Sequence, residues 1–167
     1  LEEGDHQRVR AVVDLDPAQP LVFEMQLGVD SAPGWQAPEL DRRRSTMEYW
    51  ASWAAGLRIP PSAPAMVRRS ALTLKALCHT PTGAILAAAT TSLPEVLGGV
   101  RNWDYRFCWP RDAAVISGAL LAVGSAQEAL GFLAWLEERL AGLPSPERLR
   151  PLYPLAGDEF LPEAVLP

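Results

Sequence analysis

The chain has 167 residues, of which 49% are hydrophobic and 21% charged, and a net charge of −5. That is the composition of a globular protein with one ordinary core, or one core and a piece of another. It argues against a nucleic-acid binder, since no basic stripe is present, and against a membrane span, since the longest apolar run, Ala84 to Ala89, is far too short.

Residues 8–15 and 20–29 predict two strands, with partial polar–apolar alternation and frequent β-branched residues. Asp16-Pro17-Ala18-Gln19-Pro20 between them is turn chemistry, and a lone hairpin is marginal, so a larger sheet is expected around them. Residues 38–58 predict a helix, with Leu40, Met47, Trp50, Ala54 and Leu57 close to i, i+3, i+4, i+7 spacing. Its Arg42-Arg43-Arg44 run reads as a solvated face, and Ile59-Pro60-Pro61 ends it. A second helix over 64–77 takes Ser62 as its expected cap and carries Pro64 in the first turn. Residues 79–111 have no helical period and contain Pro81, Gly83, Pro94, Gly98 and Gly99; loops of that length are often functional.

A third helix is expected over 112–123, closed by Gly124. The fourth opens on a capping box, Ser125-Ala126-Gln127-Glu128, and runs to about Leu140. Leu130, Leu133, Trp135, Leu136 and Leu140 give it a broad apolar surface. Such surfaces need more than one neighbour, and antiparallel helix pairs with short loops suit an α/α barrel or a bundle. Pro144, Pro146, Pro151, Pro154 and Pro162 predict a long loop from Gly142 onward. Cys78 and Cys108 lack metal-ligand spacing and are expected as reduced core thiols, with His6 on the surface and His79 at a helix end. No cluster calls for a metal or an organic cofactor.

Residues 98–113 hold four aromatics, three arginines and two aspartates, and run straight into the third helix. Aromatic faces bind the apolar faces of sugar rings, and Arg and Asp supply charged hydrogen bonds to hydroxyls, which together read as a carbohydrate pocket. The plainer alternative is a core strand whose polar residues face water. The order Gly98-Gly99-x-Arg101-Asn102-Trp103-Asp104-Tyr105-Arg106-Phe107-Cys108-Trp109-x-Arg111-Asp112-Ala113 resembles the signature of glycoside hydrolase family 15, the glucoamylase, glucodextranase and bacterial trehalase group. Residues 69–77, 81–85 and 90–95 (Thr90-Thr91-Ser92-Leu93-Pro94-Glu95) are similar to that family at the expected spacing. The resemblance covers residues 65–167 well and 1–58 loosely.

What the resemblance implies is a mainly α fold: part of an (α/α)6 toroid preceded by the tail strands of a β-sandwich. The implied domains are the strands over 1–35, a helical linker over 36–62, and the first part of a barrel over 63–167. The implied activity is inverting hydrolysis of an α-glucosidic bond in trehalose or in malto- or isomalto-oligosaccharides, by a general acid and a general base. Carried over by position, Arg111 and Asp112 hold the terminal glucose at the innermost subsite. Tyr105 and Trp109 line it, and Trp103 and Asp104 stand beside it. Arg101 and Arg106 are read as structural, and Pro110 as compatible with an extended Trp109 ahead of a helix.

The family's catalytic glutamates lie well downstream of this signature, and none is identifiable here. Glu128 belongs to the capping box, Glu137 and Glu138 to a polar face, and Glu95, Glu159 and Glu163 to loops without a supporting motif. The 167 residues alone are therefore expected to be inactive, and poorly soluble or self-associating through uncovered helix faces. An α-glucoside is the expected partner, with no nucleic acid or membrane, in the cytoplasm; with no initiator Met, the true N-terminus is expected to be missing. The alternatives are a non-catalytic glucoside-binding module and a plain helical interaction domain, in which Trp109→Ala affects stability alone.

Overall fold

A computed structural model describes residues 12–18, 20–23 and 37–156. The chain divides into two units, Leu1–Met47 and Glu48–Pro167. In the first, the described parts of the two expected strands, 12–15 and 20–23, are irregular and exposed, and no ladder forms in them. The remainder, 8–11 and 24–29, lies outside the described residues. The turn between them does form, with Asp16 Oδ1 accepting from the Ala18 amide at 2.9 Å.

Helix α1, Glu39–Ala55, starts in the first unit and ends in the second. Its opening amides, Asp41 and Arg42, donate to the Pro38 carbonyl, and Glu39 and Asp41 favour the positive end of the dipole. Exposed pairs Glu39–Arg43 and Asp41–Arg44, both at 3.5 Å, make the arginine run the solvated face its composition suggested. The helix stops three residues short of its expected end because the Arg58 amide donates to the Val123 carbonyl, 2.8 Å away, instead of continuing the ladder.

The second unit is built on α2 (Pro64–Ala76), α3 (Pro110–Ala122) and α4 (Ala126–Ala141), with α2 and α4 both packed on α3. Two expected caps are corrected. Ser62 does not cap α2; the N-cap is Ala63, at φ 50° and ψ 49°, with no side-chain cap bond. Pro64 has no N–H to satisfy at the first position, so the helix opens with one fewer orphan donor. Arg68 ties α2 to the end of α1 by donating to the Ala54 carbonyl at 2.7 Å.

Ser125 is indeed the N-cap of α4, but its hydroxyl makes no bond to the helix backbone. It donates to Glu128 Oε2 and accepts from the Trp53 indole at 3.1 Å. Glu128 is buried and pairs with Lys75 of α2, so this segment pins α1, α2 and α4 together rather than serving α4 alone. Burial opposes the Lys75 charge, yet the hydrogen bond and negative charge of Glu128 outweigh it and hold Lys75 above its ordinary value. Burial likewise opposes ionisation of Glu128, and the bonds from Lys75 and Ser125 bring it below its own.

The core gathers Ile116 and Leu120 of α3 with Phe132 and Trp135 of α4. Ala84, Ile85, Cys108 and Tyr153 enter it from the loops. Trp135 meets Tyr153 edge-on at 5.7 Å, which brings the proline-rich 142–156 loop back onto α4. The turn at Gly83 (φ +83°) lies against α4 so closely that a Cβ there would meet the Gly131 carbonyl oxygen at 2.3 Å. Cys78 and Cys108 are free thiols, as expected, and burial pushes both up to about 11. His79 follows α2 and bonds Thr82 Oγ1 at 2.8 Å. Val115 and Leu121 of α3 and Leu130 and Leu133 of α4 remain at least half exposed.

Candidate functional site

The signature is held by backbone pairing across the long loop. Amides of Ala87, Ala88 and Ser92 donate to the carbonyls of Phe107, Tyr105 and Trp103 at 3.2, 2.9 and 2.7 Å, and Thr91 faces Asp104 in an antiparallel bridge. The chain then turns at Tyr105 and Arg106, where the Arg106 amide donates to Asp104 Oδ1 at 3.0 Å; Trp103 and Tyr105 both reach Trp109, while Asp104 and Arg106 pair with each other. Downstream, Cys108 bridges Tyr153, and the chain enters α3 at Pro110. Proline holds Trp109 extended, at φ −97° and ψ 110°, as its position suggested.

Trp109 is the hub of the aromatic face. It is 9% exposed, with Trp103 at 6.3 Å and Tyr105 at 6.1 Å, both edge-on. Its indole N–H donates to the Asp104 carbonyl at 3.0 Å, so the ring is buried with its donor paired. Arg111 lies over the Trp109 ring at 5.6 Å and donates through Nε and Nη2 to Asp112 Oδ2 at 3.1 and 2.9 Å. Asp112 is the third residue of α3 rather than its cap, still within the first turn, where the dipole favours a carboxylate. Both Arg111 bonds converge on one oxygen, which leaves Oδ1 and the Nη1 donors without a bond among the described residues.

Five of the six residues expected at the site, Trp103, Tyr105, Trp109, Arg111 and Asp112, thus form one aromatic surface edged by an ion pair. Asp104 takes part differently. Its carbonyl anchors Trp109, while its carboxylate is bound to Arg106 at 2.7 Å, and the hydrogen bonds from Arg106 hold that carboxyl below its ordinary value. Arg106 is therefore the carboxylate partner its reading as a structural residue required.

Two residues of this surface carry no motif of their own. Ser92 Oγ accepts from the Trp103 amide at 2.7 Å, and Glu95 Oε1 accepts from the Trp103 indole at 2.7 Å. The only signal for them was the Thr90–Glu95 block. An open cleft of about 260 Å³ lies elsewhere, between the end of α1 and the start of α4, and the polar groups of Trp53, Ser125 and Glu128 in it bond one another. Among the described residues no helix is long and apolar enough to cross a membrane, and no three metal-ligating side chains cluster.

A family model for glycosyl hydrolases family 15 matches residues 61–162. The chain is 40% identical to the trehalase of Thermoplasma volcanium over 125 residues, 75% of this chain and 20% of the relative. It is 42% identical to the trehalase of Mycobacterium tuberculosis over 130 residues, 75% of this chain and 19% of the relative. With the trehalase of Thermoplasma acidophilum the figure is 48% over 92 residues, 55% of this chain and 16% of the relative. No solved structure gives a significant match. The chain spans about a fifth of the length of these relatives. On the match over residues 61–162 and these identities, the chain belongs to glycosyl hydrolases family 15.

Proposed function

We propose that this chain supplies the innermost glucose-binding surface of a hydrolase that cleaves α-glucosides, with trehalose as the substrate. The observation that carries the reading is the Arg111–Asp112 pair at the edge of the Trp103–Tyr105–Trp109 surface. Arg111 donates to sugar hydroxyl oxygens, Asp112 accepts from hydroxyl protons, and the aromatic surface takes the apolar side of the ring. The similarity to trehalases favours trehalose over malto- and isomalto-oligosaccharides.

Cleavage in this reading proceeds with inversion. One carboxylic acid protonates the glycosidic oxygen while a carboxylate about 6.5–9.5 Å away activates water on the opposite ring face. Those two groups lie beyond this chain, whose own residues bind and orient the glucose. The exposed Val115, Leu121, Leu130 and Leu133 support placing residues 63–167 as the first part of an (α/α)6 toroid, in which further helices cover those faces. On the same reading residues 1–35 end a β-sandwich, residues 36–62 link it to the toroid, and the 167 residues alone are inactive.

Asp112→Asn tests the reading in the protein as encoded. Losing the charged acceptor for a sugar hydroxyl is expected to lower kcat/KM on trehalose at least about tenfold. Unchanged kinetics would remove Asp112 from the sugar site.

A further inference from the structure

The geometry points to Glu95 as a positioning residue that acts through Trp103, an inference that rests on the sugar-site reading above. Three bonds of 2.7 Å join the 92–95 segment to Trp103. Ser92 takes its amide and gives its own N–H to the Trp103 carbonyl, and Glu95 Oε1 takes the indole N–H. The Glu95 amide also donates to the Arg101 carbonyl at 3.2 Å, which closes the loop at its base and aims the carboxylate back at the ring.

The two Ser92 bonds fix the Trp103 backbone and leave its ring free. The second side-chain torsion of tryptophan is broad, and Trp103 is only half-buried, with one aromatic neighbour, Trp109, at 88°. Packing on one side does not select an orientation. A charge-assisted bond to the indole nitrogen does, and it is about twice as strong as a neutral one. Glu95 thereby sets the edge-on angle between Trp103 and Trp109, and so the shape of the surface on which the ring rests. A wall of this kind meets ground state and transition state alike, so its disorder weakens binding more than chemistry.

The test is steady-state hydrolysis and equilibrium binding of trehalose by the protein as encoded, in a double-mutant cycle. Glu95→Leu is expected to raise KM about fivefold with kcat within about twofold. Glu95→Gln keeps an oxygen acceptor for the indole and is expected to restore KM to within about twofold of the original. In a Trp103→Phe background, which has no indole donor, Glu95→Leu is expected to add nothing. Any of four results overturns the assignment: an unaltered KM in Glu95→Leu, an undiminished effect in the Trp103→Phe background, no recovery in Glu95→Gln, or a kcat loss above about a hundredfold. If the unmutated protein neither binds nor cleaves trehalose, the sugar-site reading fails and takes this inference with it. If it does both and Glu95→Leu is silent, the inference alone fails.

Discussion

Arg111 and Trp109 touch each other and carry opposite burdens. The Arg111 side chain is 74% exposed and its partner Asp112 34%, and an exposed pair of this kind contributes little to folding. Arg111→Ala is expected to move stability by less than about 0.5 kcal/mol, measured by denaturant unfolding, while raising the trehalose KM about tenfold or more. Trp109 is buried at the centre of three aromatic and cationic contacts, so Trp109→Ala is expected to cost about 3–5 kcal/mol and to lose binding through misfolding of the face. An Arg111 variant that unfolds as readily as the Trp109 variant would make the motif structural. The residues of this surface were legible because they are adjacent in the sequence, with aromatics at alternate positions. Glu95 was not, because its partner is chosen by the register of 87–92 against 103–107. The local partners of Asp104 were not legible either: the turn at 105–106 brings its carboxylate to Arg106, and its carbonyl receives the Trp109 indole.

The four helices were legible from apolar spacing and from proline, glycine and capping signals, and each appears with its bounds shifted by no more than three residues. The caps did not follow, since a cap depends on what else competes for its side chain. Ser125 and Glu128 have the spacing of a capping box, yet Trp53, 72 residues from Ser125, and Lys75, 53 residues from Glu128, draw them into a cluster between helices. That cluster makes a pH prediction. Glu128 has its value lowered in the fold, so its contribution is complete above about 4.5 and is lost as pH falls through the folded value. Lys75 has its value raised, so its contribution is complete below about 10.5 and is lost as pH rises beyond that. Glu128→Gln removes the negative charge that compensates the largely buried Lys75 ammonium and is expected to cost about 3 kcal/mol near neutral pH, with the deficit shrinking below pH 4.5 and above 10.5. Urea titrations of both proteins at pH 3.5, 7 and 11 check this; a deficit independent of pH would mean that the pair contributes through packing alone.

Glu48–Pro167 places the aromatic surface of Trp103, Tyr105 and Trp109, the proposed sugar site, on a helical core that leaves Val115, Leu121, Leu130 and Leu133 largely exposed. A broad apolar pattern on α4 announced that more than one neighbour is needed, without saying which, because periodicity records a face and not its partner. Family membership settles the kinship, and the proposed chemistry goes one step further, to inversion at an α-glucosidic bond. Proton NMR of the first glucose released from trehalose by the protein as encoded tests that step most directly. Trehalose joins two α-glucosyl units, so inversion delivers one β- and one α-glucose from each molecule, and the account predicts an initial ratio of about one to one. Release of α-glucose alone, or no release, would contradict it.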